Sequence, residues 1–161
     1  MAPAPRVTLR PFTPHDAPLL TRWDGDPEVR KWMGKGLREC PPPRRDPVHN
    51  SRTRRVLAID CDETTVGYVV LDHINWTTRS VEIRICIGEA SYRNRGIGQE
   101  TIAELLCLLR RLRLHEVYLR VDPDNVRAVR CYEKCGFRKE GILRKSRAMA
   151  SDLLLMSLRF P

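Results

Sequence analysis

No apolar run in the chain approaches the ~20 residues that a membrane-spanning helix needs, so neither an anchor nor a channel is expected. The opening, Met1-Ala2-Pro3-Ala4-Pro5, lacks the apolar stretch of a secretory signal, and a cytoplasmic location is the expectation that follows. The six cysteines, at 40, 61, 86, 107, 131 and 135, show neither zinc-ligand spacing nor the pattern of a secreted disulfide scaffold. Several stand at apolar positions, where cysteine acts as a small hydrophobe, so reduced thiols and no metal are expected. Acid is the scarcer charge: 20 Asp and Glu stand against 29 Lys and Arg, a net charge of +9. Such a surplus suits an anionic small ligand as well as nucleic acid. With no groove-reading motif present, direct nucleic-acid recognition is not expected. Neither a repeat nor a linker divides the 161 residues, and the chain reads as a single domain, 1–161.

What is present alternates strands with helices. Val7 to Leu9 reads as a strand, followed by a helix over 14–23 with Thr13 as N-cap and Pro14 in its first turn. A short helix follows at 27–33, then a loop-like stretch from Arg38 to Arg54 around Pro41-Pro42-Pro43. Strands at 55–60 and 66–74 form a hairpin about Cys61-Asp62-Glu63-Thr64, and a third, 81–87, pairs next through the 75–79 turn. In that third strand Val81, Ile83, Ile85 and Ile87 share one face, and Glu82, Arg84 and Cys86 share the other. A helix over 98–112 carries Ile102, Leu105, Leu106, Leu109 and Leu112 at a 3.6-residue period. A buried parallel strand at 117–121, a helix capped by Asp124 or Asn125 and running through Cys135, and strands at 137–143 and 153–159 complete the chain. The expected fold class is α/β: a mixed sheet with helices on both faces.

The strand 81–87 breaks into Ser91-Tyr92-Arg93-Asn94-Arg95-Gly96-Ile97-Gly98-Gln99-Glu100 and then into a helix. Glycines allow close backbone approach, a helix N-terminus offers unpaired N–H groups, and arginines supply planar donors, so this run is built for an anion. Two residues that phosphate loops need are missing. No Lys follows Gly98, as a mononucleotide P-loop requires, and Thr101 stands where a dinucleotide fingerprint has its third glycine. What remains is R-x-x-G-x-G, from Arg93 to Gly98. Further on lies Asn125-Val126-Arg127-Ala128-Val129-Arg130-Cys131-Tyr132-Glu133-Lys134-Cys135-Gly136-Phe137. The two blocks, in this order, resemble the pyrophosphate loop and the N-x-x-A-x-x-x-Y-x-K-x-G-F segment of the GNAT superfamily of acyl-CoA-dependent N-acetyltransferases. The opening (Val7 to Pro11, Trp23, Asp26 to Val29, Trp32) and the close (Asp152 to Leu158) look like its RimJ/RimL branch. That branch includes protein N-terminal acetyltransferases and relatives acting on polyamines, aminoglycosides and amino sugars.

The resemblance implies a GNAT-like central, mostly antiparallel twisted sheet, acetyl-CoA as cosubstrate, no metal, and an amine as acceptor. Dimers are common in the family, so a homodimer is among the expected partners. It further implies that Arg93, Asn94, Arg95, Gly96, Ile97, Gly98 and Gln99 cradle the pyrophosphate. Asn125, with Ala128 in the same segment, would meet the pantetheine arm. Backbone N–H groups around Cys86 and Ile87 would polarise the thioester, Tyr132 would protonate the leaving thiolate, and Glu82 would take the amine's proton. Gln99 departs from the small or hydroxylated residue often found there. The plain alternatives are a Glu82 paired with Arg84 or another basic residue, and a Tyr132 packed in the core. Cys131 and Cys135 read as structural cysteines. His73 and Asp72 border the expected acceptor side, where Trp23 and Trp32 either wall a pocket or fill the core. Arginine content there argues against a polycationic acceptor and for a peptide N-terminus or an amine on an anionic carrier. The expected activity is acetyl transfer to a primary amine, such as a protein N-terminal α-amine. The alternatives are an acetyltransferase for a small-molecule amine (polyamine, aminoglycoside or amino sugar) and a non-catalytic acyl-CoA-binding regulatory protein.

Overall fold

Strand alternation divides the apolar residues of this chain between two cores. A computed structural model describes residues 5–33, 50–146 and 151–160; much of the proline-rich loop anticipated at 38–54 lies outside them. The strands are β1 (Val7–Pro11), β2 (Arg55–Cys61), β3 (Thr64–Asn75), β4 (Ser80–Ile87), β5 (Glu116–Val121), β6 (Arg138–Leu143) and β7 (Leu153–Arg159). The helices are α1 (Ala17–Asp24), α2 (Pro27–Met33), α3 (Ile97–Arg111) and α4 (Val126–Lys134). The strands form one sheet in the order β1-β2-β3-β4-β5-β7-β6, with β4–β5 the one parallel pairing. Every other pairing is antiparallel. This is the mixed, mostly antiparallel architecture expected.

The stretches Val56 to Ile59 of β2 and Val66 to Leu71 of β3 carry no charged residue because both sheet faces are covered there. Leu57, Ile59, Val69 and Leu71 join Val81, Ile83, Ile102, Leu105 and Leu109 in the larger core beneath α3. The residues between them, Val56, Ala58, Tyr68 and Val70, join Phe12, Leu20, Trp23, Val29 and Cys86 beneath α1 and α2. Each fully buried Leu or Ile contributes roughly 1.5–3 kcal/mol against leaving it exposed, so α3, which buries Ile97, Ile102, Leu105 and Leu109, is held most firmly, and α1, α2 and α4 by one or two buried side chains each. The edge strand β6 is exposed along most of its length and carries Arg138, Lys139 and Glu140, charges that discourage pairing with another chain.

Two features of β3 and β4 position the site. Gly67 faces Ile87 across the ladder, and a Cβ there would lie 2.0 Å from the Cys86 carbonyl oxygen. The strands therefore approach at a distance only glycine permits. The parallel ladder of β4 and β5 consists of Ser80–Glu116, Val81–Val117 and Glu82–Tyr118, and stops there. From Ile83 to Ile87 the β5 side of β4 is left without that partner.

Candidate active site

The gap between β4 and β5 opens immediately after Glu82. It leaves the Cys86–Ile87 end of β4 without a ladder partner on the β5 side. Beyond Ile87 the chain is held by close packing. Gly88 lies under Trp23, whose ring atoms would sit 2.2 Å from a Cβ at that position. The Trp23 indole donates to Glu89 Oε1 at 2.9 Å, and Arg22 pairs with the same carboxylate. Trp23 is therefore a core residue that anchors α1 to the end of β4. Trp32 donates to Glu28 at 3.2 Å along α2.

The Arg93 side chain is engaged within the protein. Its Nε donates to the Ile87 carbonyl at 3.0 Å, and one Nη donates to Asp26 at 2.9 Å and the Gly88 carbonyl at 3.1 Å. The guanidinium thus fastens the end of β4 to the start of α2, and the Arg93 carboxylate partner, Asp26, is held below the usual carboxylate range by that bond. The loop that follows carries Asn94 at φ 61° and Gly96 at φ 78°, both left-handed. Gly96 is the N-cap of α3, and its carbonyl accepts from Glu100 at 3.1 Å. The first N–H groups of α3, those of Ile97, Gly98 and Gln99, precede the helix's own hydrogen bonds and are the natural donors to an anion. Arg95 lies exposed over the Tyr92 ring, 5.3 Å from its centroid, and is the guanidinium nearest that role. Open space above Gly96 and a helix start without a side-chain cap fit a pyrophosphate.

Helix α4 meets this loop. A Cβ on Gly98 would lie 3.4 Å from Cys131 Sγ, so the turn bearing Tyr132 packs beside the α3 N-terminus. Asn125 caps α4, its Oδ1 accepting from the Ala128 N–H at 3.4 Å, which commits one side of its amide to the helix. Tyr132 packs against Phe137, ring centroids 5.7 Å apart. Burial pushes its phenol well above the ordinary range, with smaller contributions from the thiols at 131, 135 and 86. The phenol therefore keeps its proton at neutral pH. Burial likewise raises Cys86 to about 12 and Cys131 to about 11, so neither is a nucleophile. The described cysteines are all free thiols, as expected.

Glu82 is 5% exposed, and its carboxylate is already engaged. Arg120 Nε donates to Oε1 at 2.8 Å, and His73 Nε2 lies 3.9 Å from Oε2. The anticipated basic partner exists, but it is Arg120 from β5 rather than Arg84. Arg84 stands 3.9 Å from Asp72, whose nearer partner is Arg54 at 2.9 Å. His73 occupies a positive φ of 48° at a register shift between Asp72 and Asn75, which turns it toward this cluster.

Sequence reasoning missed Asp26 and Arg120. Arg120 shares the Glu82 face by alternation from Tyr118, a signal that needs the β4–β5 register before it can be used. Asp26 lies 67 residues from Arg93 and carried no local sign of the contact.

A mixed sheet whose one parallel ladder stops short, leading into an anion-ready helix start, is the architecture of a CoA-dependent acyltransferase. The family model for the Acetyltransferase (GNAT) domain matches residues 6–138. The chain belongs to that family and is an N-acetyltransferase that uses acetyl-CoA. It is 35% identical over 97 residues to the spermidine N(1)-acetyltransferase of Vibrio cholerae, a match covering 60% of this chain and 56% of that protein. It is 30% identical over 150 residues to the Escherichia coli K12 spermidine N(1)-acetyltransferase, covering 89% and 78%. The solved aminoglycoside acetyltransferase AAC(6')-Ib, in complex with coenzyme A, shares the fold at TM-score 0.78 and 21% identity, covering 96% of this chain and 95% of that one. These relatives support the superfamily and do not single out its RimJ/RimL branch. Among the described residues no helix is long and apolar enough to cross a membrane, and no group of ligating side chains is placed to hold a metal.

Proposed function

We propose that the chain acetylates the primary amine of a small molecule in a ternary complex by direct attack. The single observation that carries this is the β4–β5 ladder ending at Glu82–Tyr118, beyond which the Cys86–Ile87 end of β4 leads toward the α3 N-terminus, with α4 packed beside that helix start at Cys131. Relatives named for spermidine and for aminoglycosides support a small-molecule acceptor over the protein N-terminus that the sequence first suggested.

Acetyl-CoA supplies the activated acetyl group. The N–H groups of Ile97, Gly98 and Gln99, with Arg95, hold its pyrophosphate, while Asn125 and Ala128 border its arm. Backbone N–H groups at Cys86 and Ile87 take the charge that develops on the thioester oxygen. The amine nitrogen bonds to the carbonyl carbon, the C–S bond breaks, and Tyr132 gives its phenolic proton to the departing sulfur. Glu82 receives the proton the amine loses, directly or through water, and Arg120 keeps that carboxylate in place.

Tyr132→Phe tests the reading. Loss of a positioned general acid lowers kcat by about 100-fold or more, with acetyl-CoA affinity by calorimetry unchanged. Full kcat in this variant removes Tyr132 from the chemistry.

A further inference from the structure

Among the described residues, the sheet face that carries Glu82 packs against α1 and α2 through Tyr68, Val70 and Cys86. Further along, the same face is polar and charged. Arg54, Arg84 and Arg120 face Asp72 and Glu82, so three guanidiniums meet two carboxylates and leave a positive surplus. Each carboxylate is already taken, Asp72 by Arg54 at 2.9 Å and Glu82 by Arg120 at 2.8 Å. The same holds across the described acceptor side: Asp26 binds Arg93, Glu89 binds Trp23 and Arg22, and Glu28 binds Trp32. A polycation would have to share Asp26, Asp72 and Glu82 with the arginines already bound to them.

The arginines, by contrast, have donors to spare. Arg84 makes no hydrogen bond among the described residues and is 38% exposed at its side chain; Arg120 is 39% exposed and binds Glu82 through Nε alone, leaving both terminal nitrogens. Planar donors of this kind match a carboxylate or a phosphate. Arg84 lies on the same face of β4 as Cys86, two residues away, roughly 7 Å along the strand. A molecule with its amine at the opening and an anionic group a few bonds away would reach both.

We propose that the acceptor is an amine that also carries an anionic group, carboxylate or phosphate, held by Arg84 and Arg120 while its amine reaches the Cys86 end of β4. This rests on the acetyltransferase reading above and specifies its substrate class.

The test is acetyl transfer to 4-aminobutyrate, 3-aminopropyl phosphate, 1,4-diaminobutane and spermidine. At least one of the two anionic amines should exceed both polyamines in kcat/KM by about tenfold or more, the scale of one charge-assisted contact; the better of the two identifies carboxylate or phosphate. Arg84→Gln should erase most of that preference and Arg84→Lys should keep part of it, with acetyl-CoA affinity and melting temperature unchanged in both. Preference for either polyamine overturns the proposal, and so does an Arg84→Gln variant that slows all four amines equally. Calorimetry of 3-aminopropyl phosphate and 4-aminobutyrate into the CoA-loaded protein separates the two levels. Arg84-dependent binding of either without any turnover supports this proposal and removes the catalytic reading, whereas no binding of either by the wild-type protein overturns the proposal itself.

Discussion

Asp16 shows how one residue can make a fold depend on pH. It is 7% exposed, and Arg10 grips both of its oxygens, at 2.9 and 2.8 Å, while the Thr13 N–H adds a third bond at 2.9 Å. Arg10 also reaches Asp60 at 2.8 Å and Thr65 at 2.9 Å, so the network ties the first turn after β1 to β2 and β3. The guanidinium bonds draw the Asp16 carboxyl down to about 2. A carboxyl lowered in the folded state stabilises it fully above its unfolded value near 4, and that contribution is lost as pH falls from about 4 toward 2. Asp16→Asn should cost about 2 kcal/mol at neutral pH and flatten the acid limb of the stability curve. Denaturant titrations of both proteins at pH 7 and across that acid range measure the effect. Parallel curves for the two proteins across the acid range would show that the network does not set acid stability.

At the scale of elements, most of the architecture was legible from the chain and part of the site was not. Strands and helices followed alternation, 3.6-residue periodicity and turn chemistry, and the two faces of β4 divided as the alternation of Val81 to Ile87 required. The anion loop was legible because its glycines and helix start are local. Local signals also narrowed the cap of α4 to Asp124 or Asn125, of which the structure uses Asn125, although not the commitment of its carbonyl to Ala128. The partners of Glu82 and Arg93 were not legible, since both depend on strand register and helix docking across 38 and 67 residues. Nor was the point at which β4 leaves β5, because nothing in Ile83 to Ile87 differs in kind from the paired residues before it.

The close approach of β3 and β4 gives a prediction at the same scale. Gly67→Ala would place a methyl 2.0 Å from the Cys86 carbonyl oxygen and 3.0 Å from its carbon, both backbone atoms that cannot rotate aside. The strands must separate at the rung that carries the active-site end of β4. A loss of about 1–3 kcal/mol in stability is expected, together with weakened acetyl-CoA binding. Gly141 in β6 has open space where its Cβ would be, so Gly141→Ala is the control and should change neither property. Equal melting temperatures for the two variants would mean that β3 and β4 yield more easily than their spacing implies.

For the whole molecule the relevant quantity is charge. A net +9 surrounds a site whose cosubstrate is a polyanion, and long-range attraction of that kind raises encounter rates when salt is low. The Debye length is about 10 Å at 0.1 M, so the attraction is screened over ordinary assay conditions. Raising ionic strength from about 0.02 to about 0.2 M should therefore lower kcat/KM for acetyl-CoA several-fold, with kcat at saturation nearly constant. The acceptor supplies a second sign in the same experiment. With acetyl-CoA saturating, an anionic amine is drawn by the same field and its kcat/KM should fall with salt. A polyamine is repelled by it and its kcat/KM should rise. The direction of the salt response thus reports which charge the acceptor side is built to receive, independently of any substitution. A flat response for acetyl-CoA would assign the basic surplus to surface far from the opening between β4 and β5.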